Sequence, residues 1–226
     1  MTLSYLIPFI LFVAGVILWR LQLGAKRRFE VAEQTLTAFQ RASDGLSRLR
    51  DPFIYTGELA AAEVPKHDDE DFRRRVDEHD KERVRRHNVY VARAESVAPV
   101  FADLRAAQIL AEIHFGRAAT DAVDVLFRGR QQVYQAIDGL YGPVRFDPNH
   151  ERATAQQIQQ HRDREVALRR NIAEHRDNAG KPDDTDVLSQ QIDEAKATLE
   201  TMCRPALEDP PWLRKLSDIL RRWRLA

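Results

Sequence analysis

Cysteine is almost missing from this 226-residue sequence: Cys203 stands alone, which excludes an intramolecular disulfide and any zinc site built on cysteine pairs. Glycine and proline are scarce too, at 9 and 10 residues. They fall at a few places instead of being spread through the chain, the pattern of long helices joined by short connections. Strand-like alternation is too sparse to propose a sheet. Missing as well are G-x-S-x-G, the Walker A loop, H-E-x-x-H, the dinucleotide fingerprint and a paired E-x-x-H run, so no catalytic residue, cofactor or metal site is assigned. The first 19 residues hold no charged side chain.

What is present is charge elsewhere, unevenly placed. Charged residues make up 31% of the chain, so most of it belongs in water and it is not polytopic. Formal net charge is zero, yet residues 1–50 carry +4, residues 51–203 carry −7 and residues 204–226 carry +3. Two basic ends around an acidic middle fit a body whose ends lie against an anionic membrane surface. The pattern argues against nucleic acid, which favours a basic stripe on the folded domain itself.

From Leu3 to Leu23 the chain reads LSYLIPFILFVAGVILWRLQL, with Arg20 and Gln22 its only strongly polar side chains. At about 1.5 Å per residue this matches the roughly 30 Å hydrocarbon thickness of a bilayer. Pro8 sits in the first turns, where a missing amide donor does least harm. Tyr5 and Trp19 stand near the two ends as interfacial aromatics do, and Arg20 is placed to snorkel to the headgroups. A cleaved signal peptide requires a positive region before its apolar core and a small-residue cleavage site after it, and neither is present. The expectation is therefore a permanent single-pass anchor over residues 1–24. Arg20, Lys26, Arg27 and Arg28 follow the span and nothing positive precedes it, so the positive-inside bias places the N-terminus outside and the body in the cytoplasm, at the cell (inner) membrane.

The expected fold is all-α, with the transmembrane helix continuing into a helical bundle or coiled-coil-like soluble body. In the juxtamembrane helix, residues 25–51, Phe29, Ala32, Leu36, Phe39, Ser43 and Leu46 repeat at 3, 4, 3, 4, 3. Such a seam either packs on the rest of the body or forms a parallel dimer. Asp51-Pro52 ends the helix and residues 52–66 form a connection. The run His67–Asp71 with His79 invites a metal reading, but acidic residues in a helix's first turn, followed by basic partners three and four residues on, account for it.

Residues 67–142 are read as the core helices. Val97, Val100, Phe101, Leu104, Leu110, Ile113, Phe115, Val123, Leu126, Phe127, Val133, Ile137 and Leu140 mark its apolar centre; Pro99 should kink it or mark a boundary, and Gly116 and Gly129 are candidate bends. His114 lies in that stretch without a placed carboxylate or nucleophile and is read as structural. Gly142-Pro143 is a stop and Asp147-Pro148 a start. Residues 148–204 are expected to form an antiparallel helical hairpin, its second arm capped by Asp183 or Asp184 and carrying the seam Leu188, Ile192, Ala195, Leu199 and Met202.

Residues 209–226 form a short basic amphipathic helix. Trp212, Leu213, Leu216, Ile219, Leu220 and Trp223 share one face; Arg214, Lys215, Arg221, Arg222 and Arg224 line the other. This composition suits an interfacial membrane helix, or equally a helix docked on the bundle or in a partner's groove.

The functional expectation is a membrane-tethered helical interaction or scaffold protein that contacts the membrane and a protein partner or a second copy of itself. Contact is expected through Lys26, Arg27 and Arg28 and through the C-terminal helix. The alternative from a different class is a membrane-bound enzyme with a site inside the bundle.

Overall fold

The computed structural model describes residues 3–62, 78–141, 154–172 and 186–208; among the side chains of the helices, those of residues 3–11, 14, 78–81, 158, 161, 170 and 171 are outside the description. The acidic run at 67–71, the expected breaks at 142–148 and 180–182, and the expected C-terminal helix with Trp212 to Trp223 lie outside the described residues.

The periodic seam after the N-terminal apolar stretch is one face of a single helix, α1 (Leu3–Leu49), of 47 residues. It stops where Asp51-Pro52 removes the α conformation, as the sequence predicts. A short helix, α2 (Thr56–Ala61), occupies the expected connection, with the Glu58 side chain reaching back to accept from the Tyr55 amide at 3.0 Å. Then come α3 (Glu78–Phe115) and α4 (Arg117–Tyr141), parted by Gly116 at φ 82°, followed by α5 (Ala155–Ile172) and α6 (Val187–Leu207). Among the described residues there is no strand, and the fold is all-α.

Four helices form a ring in the order α1–α3–α4–α6, each packed on its two neighbours. Neighbours run antiparallel. Gly45 meets Val97 and Arg28 meets His114, so α3 descends beside α1. Tyr90 stacks on Tyr141 at 5.5 Å and Phe101 meets Phe127 edge-on at 5.7 Å, so α4 ascends again. Arg50 at the top of α1 joins Asp186 at the start of α6. The interior holds Phe39, Leu46, Phe101, Leu104, Val123, Leu126 and Leu199, all essentially without solvent exposure. Within that core Gln108 is satisfied on both sides: its amide donates to Asp124 at 2.7 Å and its oxygen accepts from Arg105 at 2.7 Å. A buried amide so paired costs little and fixes the register of α3 against α4.

Of the two readings of the seam from Phe29 to Leu46, packing on the rest of the body is the one seen, since Ala32, Phe39 and Leu46 are buried in the chain's own bundle. Other expectations meet a different arrangement. Pro99 neither ends nor divides α3; it lies on the exposed outer face of the helix. Gly129 makes no break in α4 and instead marks a close approach, because a β-carbon there would lie 2.7 Å from Leu188. Ile113 is 72% exposed, not in the core. The inward positions of α3 are Val97, Phe101, Leu104, Gln108 and Ala111, and a residue two beyond Ala111 falls about 200° round the helix.

The predicted hairpin of 148–204 is arranged otherwise: α6 fills the ring between α1 and α4, and α5 lies outside it against α4, with Leu168 over Gly139. The described start of α5 is closed by a capping box, Gln157 amide to Thr154 hydroxyl at 3.3 Å and Thr154 amide to the Gln157 side chain at 2.9 Å. The cap of α6 is Asp186, whose carboxylate accepts from the Ser189 amide at 3.0 Å.

Among the described residues no helix is long and apolar enough to cross a membrane. The described side chains of the N-terminal apolar stretch begin at Phe12 and meet Arg20 after eight residues, against the roughly 20 apolar positions a span requires.

Candidate functional site

Three helix ends meet at one end of the ring. Arg28 of α1 donates to the carbonyl of His114 at 3.2 Å, which sets the last turn of α3 at the level of the basic cluster. Gly116 then reverses the chain into α4, its positive φ being a conformation other residues adopt only at a cost. The last turn of α6 arrives alongside, and Met202, Pro205, Ala206 and Glu208 share an open-sided cleft of about 1360 Å³ with Arg20, Lys26, Arg27, Arg28, His114 and Phe115.

The cleft is positively charged. Arg20, Lys26, Arg27 and Arg28 line it against only Glu30 and Glu208. Lys26 and Arg27 approach Glu30 at 3.9 and 3.7 Å, but all three side chains are about half exposed or more. Such pairs contribute roughly 0–1 kcal/mol and leave the local field basic. Arg117 at the start of α4 and Arg204 in the last turn of α6 are exposed at the same end. Apolar side chains are exposed there too: Phe29, Ile113 and Leu207. Beyond the end, α1 continues with no other described helix beside it, and Phe12, Val16, Ile17, Trp19, Leu21 and Leu23 are exposed along it. Single exposed apolar residues are ordinary, whereas a contiguous run along one projecting helix marks a contact surface.

Of the contact residues the sequence points to, the structure gathers Lys26, Arg27 and Arg28 in this cleft. Trp212, Leu213, Leu216, Ile219, Leu220, Arg221, Arg222 and Trp223 lie outside the described residues, but α6 hands the chain over to them from this same end. His114 does share a lining with two carboxylates, as the enzyme alternative requires. Glu30 there faces Lys26 and Arg27, and the ring contact of His114 is with Phe115, at 6.5 Å between centroids. Among the described residues, no group of three or more His, Cys, Asp or Glu stands where it could hold a metal ion.

Sequence reasoning missed the staple at the opposite end. Arg93 donates to both oxygens of Glu58, at 2.9 and 2.7 Å, and to the carbonyls of Asp51 and Phe53, at 2.7 and 2.6 Å. It ties the α1–α2 connection to α3, and no local spacing announces it because its partners lie about 40 residues away.

These features define a class: an all-α antiparallel four-helix bundle whose first helix projects from a basic end. No known protein family, no curated protein and no solved structure matches the chain.

Proposed function

We propose that the protein is a membrane-tethered helical interaction or scaffold protein, with the N-terminal part of α1 crossing the bilayer once and the bundle held at the cytoplasmic face. The observation that carries this reading is the projection of α1. Arg28 is level with the end of the bundle, and the helix backbone extends from there to Leu3 without a break. From Gly24 to Leu3 it covers roughly 32 Å at about 1.5 Å per residue, the thickness of the bilayer's hydrocarbon core. Most of the exposed side chains along its described part are large and apolar, which favours surroundings other than water. The basic cluster at its root supports the cytoplasmic orientation.

The interaction role rests on surfaces. The ring is solid with apolar side chains, while the outer face of α5 and the basic end remain available to partners. General acid–base chemistry needs a base within hydrogen-bond reach of the group it serves, and the basic cleft is better suited to electrostatic contact.

Alkaline extraction of membranes tests the anchor: the full chain should stay in the pellet, and release into the supernatant would end this reading. A reporter fused after Ala226 should be active only in the cytoplasm. Affinity capture in mild detergent, with and without residues 208–226, should return a stoichiometric partner or additional copies of the chain. Recovery of the protein alone from both forms would oppose a scaffold.

A further inference from the structure

We infer that the end of the bundle from which α1 emerges is itself a docking face for an anionic lipid surface, so that the bundle sits on the bilayer instead of hanging from its anchor. This rests on the reading of α1 as a span and adds a second, independent contact. Three separate elements supply it. Arg20, Lys26 and Arg27 come from α1, Arg117 opens α4, and Arg204 stands in the last turn of α6. Exposed Ile113 and Leu207 accompany them from the ends of α3 and α6.

Cations interleaved with apolar side chains are what the headgroup region accepts: the charges meet acidic headgroups and the apolar tips pass just below them. Within the cleft the cations Arg20, Lys26, Arg27 and Arg28 outnumber the counter-charges Glu30 and Glu208. The location decides the occupant. If α1 crosses the bilayer, this face is held within a few ångströms of the membrane surface, inside the distance over which its potential acts.

The test uses the full chain reconstituted in phosphatidylcholine vesicles with and without phosphatidylglycerol, labelled with an environment-sensitive fluorophore at Ile113→Cys or, separately, at Val13→Cys. Both positions are exposed and the native Cys203 is buried. The label at position 113 should shift to the blue in the phosphatidylglycerol vesicles. The shift should shrink at high salt and vanish in Lys26→Glu/Arg27→Glu/Arg117→Glu. A label at 113 that stays water-like while the label at 13 reports lipid overturns the docking face and leaves the anchor standing. Equal shifts in both vesicle types overturn the acidic-lipid assignment. Water-like emission from both labels overturns the anchor and the docking face together.

Discussion

Arg50 and Asp186, 136 residues apart, form an ion pair of 2.8 Å with each side chain only 2% exposed. The pair closes the ring by joining the last turn of α1 to the first of α6. Ser189 completes it, accepting from Arg50 at 2.8 Å and donating to the other Asp186 oxygen at 2.8 Å. Asp186 also caps α6, so one carboxylate serves both the ion pair and the helix start. Asp186→Ala should lower stability by about 3–5 kcal/mol, since it removes the carboxylate 2.8 Å from the buried Arg50 guanidinium. In Arg50→Met/Asp186→Leu the buried charge is gone and the expected loss falls to about 1–2 kcal/mol, mostly the cap. Urea unfolding followed by circular dichroism measures both. Equal losses in the two variants would show that the pairing is not what stabilises this junction.

Gly116 illustrates a purely conformational requirement. Its amide donates to the Glu112 carbonyl at 2.9 Å, ending α3, and its carbonyl accepts from the Ala119 amide at 3.1 Å, opening α4. A β-carbon placed there meets nothing within 4 Å. Gly116→Ala should therefore cost about 1–2 kcal/mol from the left-handed backbone alone. Gly116→Asn should cost less, because asparagine tolerates that region. If alanine and asparagine destabilise equally in the same urea titration, crowding and not backbone strain governs the corner.

These two junctions show what the sequence could and could not yield. The apolar stripe from Ala32 to Leu46 is legible because a period near 3.6 is written locally, and so is the stop at Asp51-Pro52. Which helix covers each stripe is not local. Adjacency along the chain suggested pairing residues 148–178 with 185–203, whereas Ser189, Ile192 and Leu199 face a ring closed by α1 and α4. Arg50 resembles an ordinary basic residue at a helix C-terminus until its partner at position 186 is known. The basic cluster Lys26–Arg28 was visible as charge, but the convergence of Arg117 and Arg204 on the same end depends on the up-and-down topology. Ile113 misled because hydrophobicity says nothing of azimuth.

The staple between Glu58 and Arg93 should respond to acid. Its hydrogen bonds to Arg93 hold the Glu58 carboxyl below its ordinary value of 4.5, against the opposing effect of burial. A carboxylate whose folded value is depressed stabilises the fold above its unfolded value and loses that contribution as pH falls through the folded one. Amide exchange in α2 should therefore be slow near neutrality and accelerate as pH drops below about 4.5, after correction for intrinsic rates. Glu58→Gln should already exchange fast at neutral pH and lose the acid dependence. A wild-type profile that stays flat through this range would mean that α2 is held by other contacts.

Cys203 supplies a gauge of the whole ring. It is fully buried in α6, and burial pushes its thiol up to about 11. The thiolate is the reactive form, so the folded protein combines an inaccessible sulfur with a very small reactive fraction. Iodoacetamide at pH 8 should leave the native full-length chain unmodified, and modification should become stoichiometric in denaturing urea. If reaction requires global opening, its rate follows the population of the open state. Asp186→Ala should then speed it by roughly two to four orders of magnitude, the factor that a loss of about 3–5 kcal/mol implies. Ready modification of the native chain, or a rate indifferent to Asp186→Ala, would place the sulfur in a locally opening part of α6 and separate that helix's stability from the ring's.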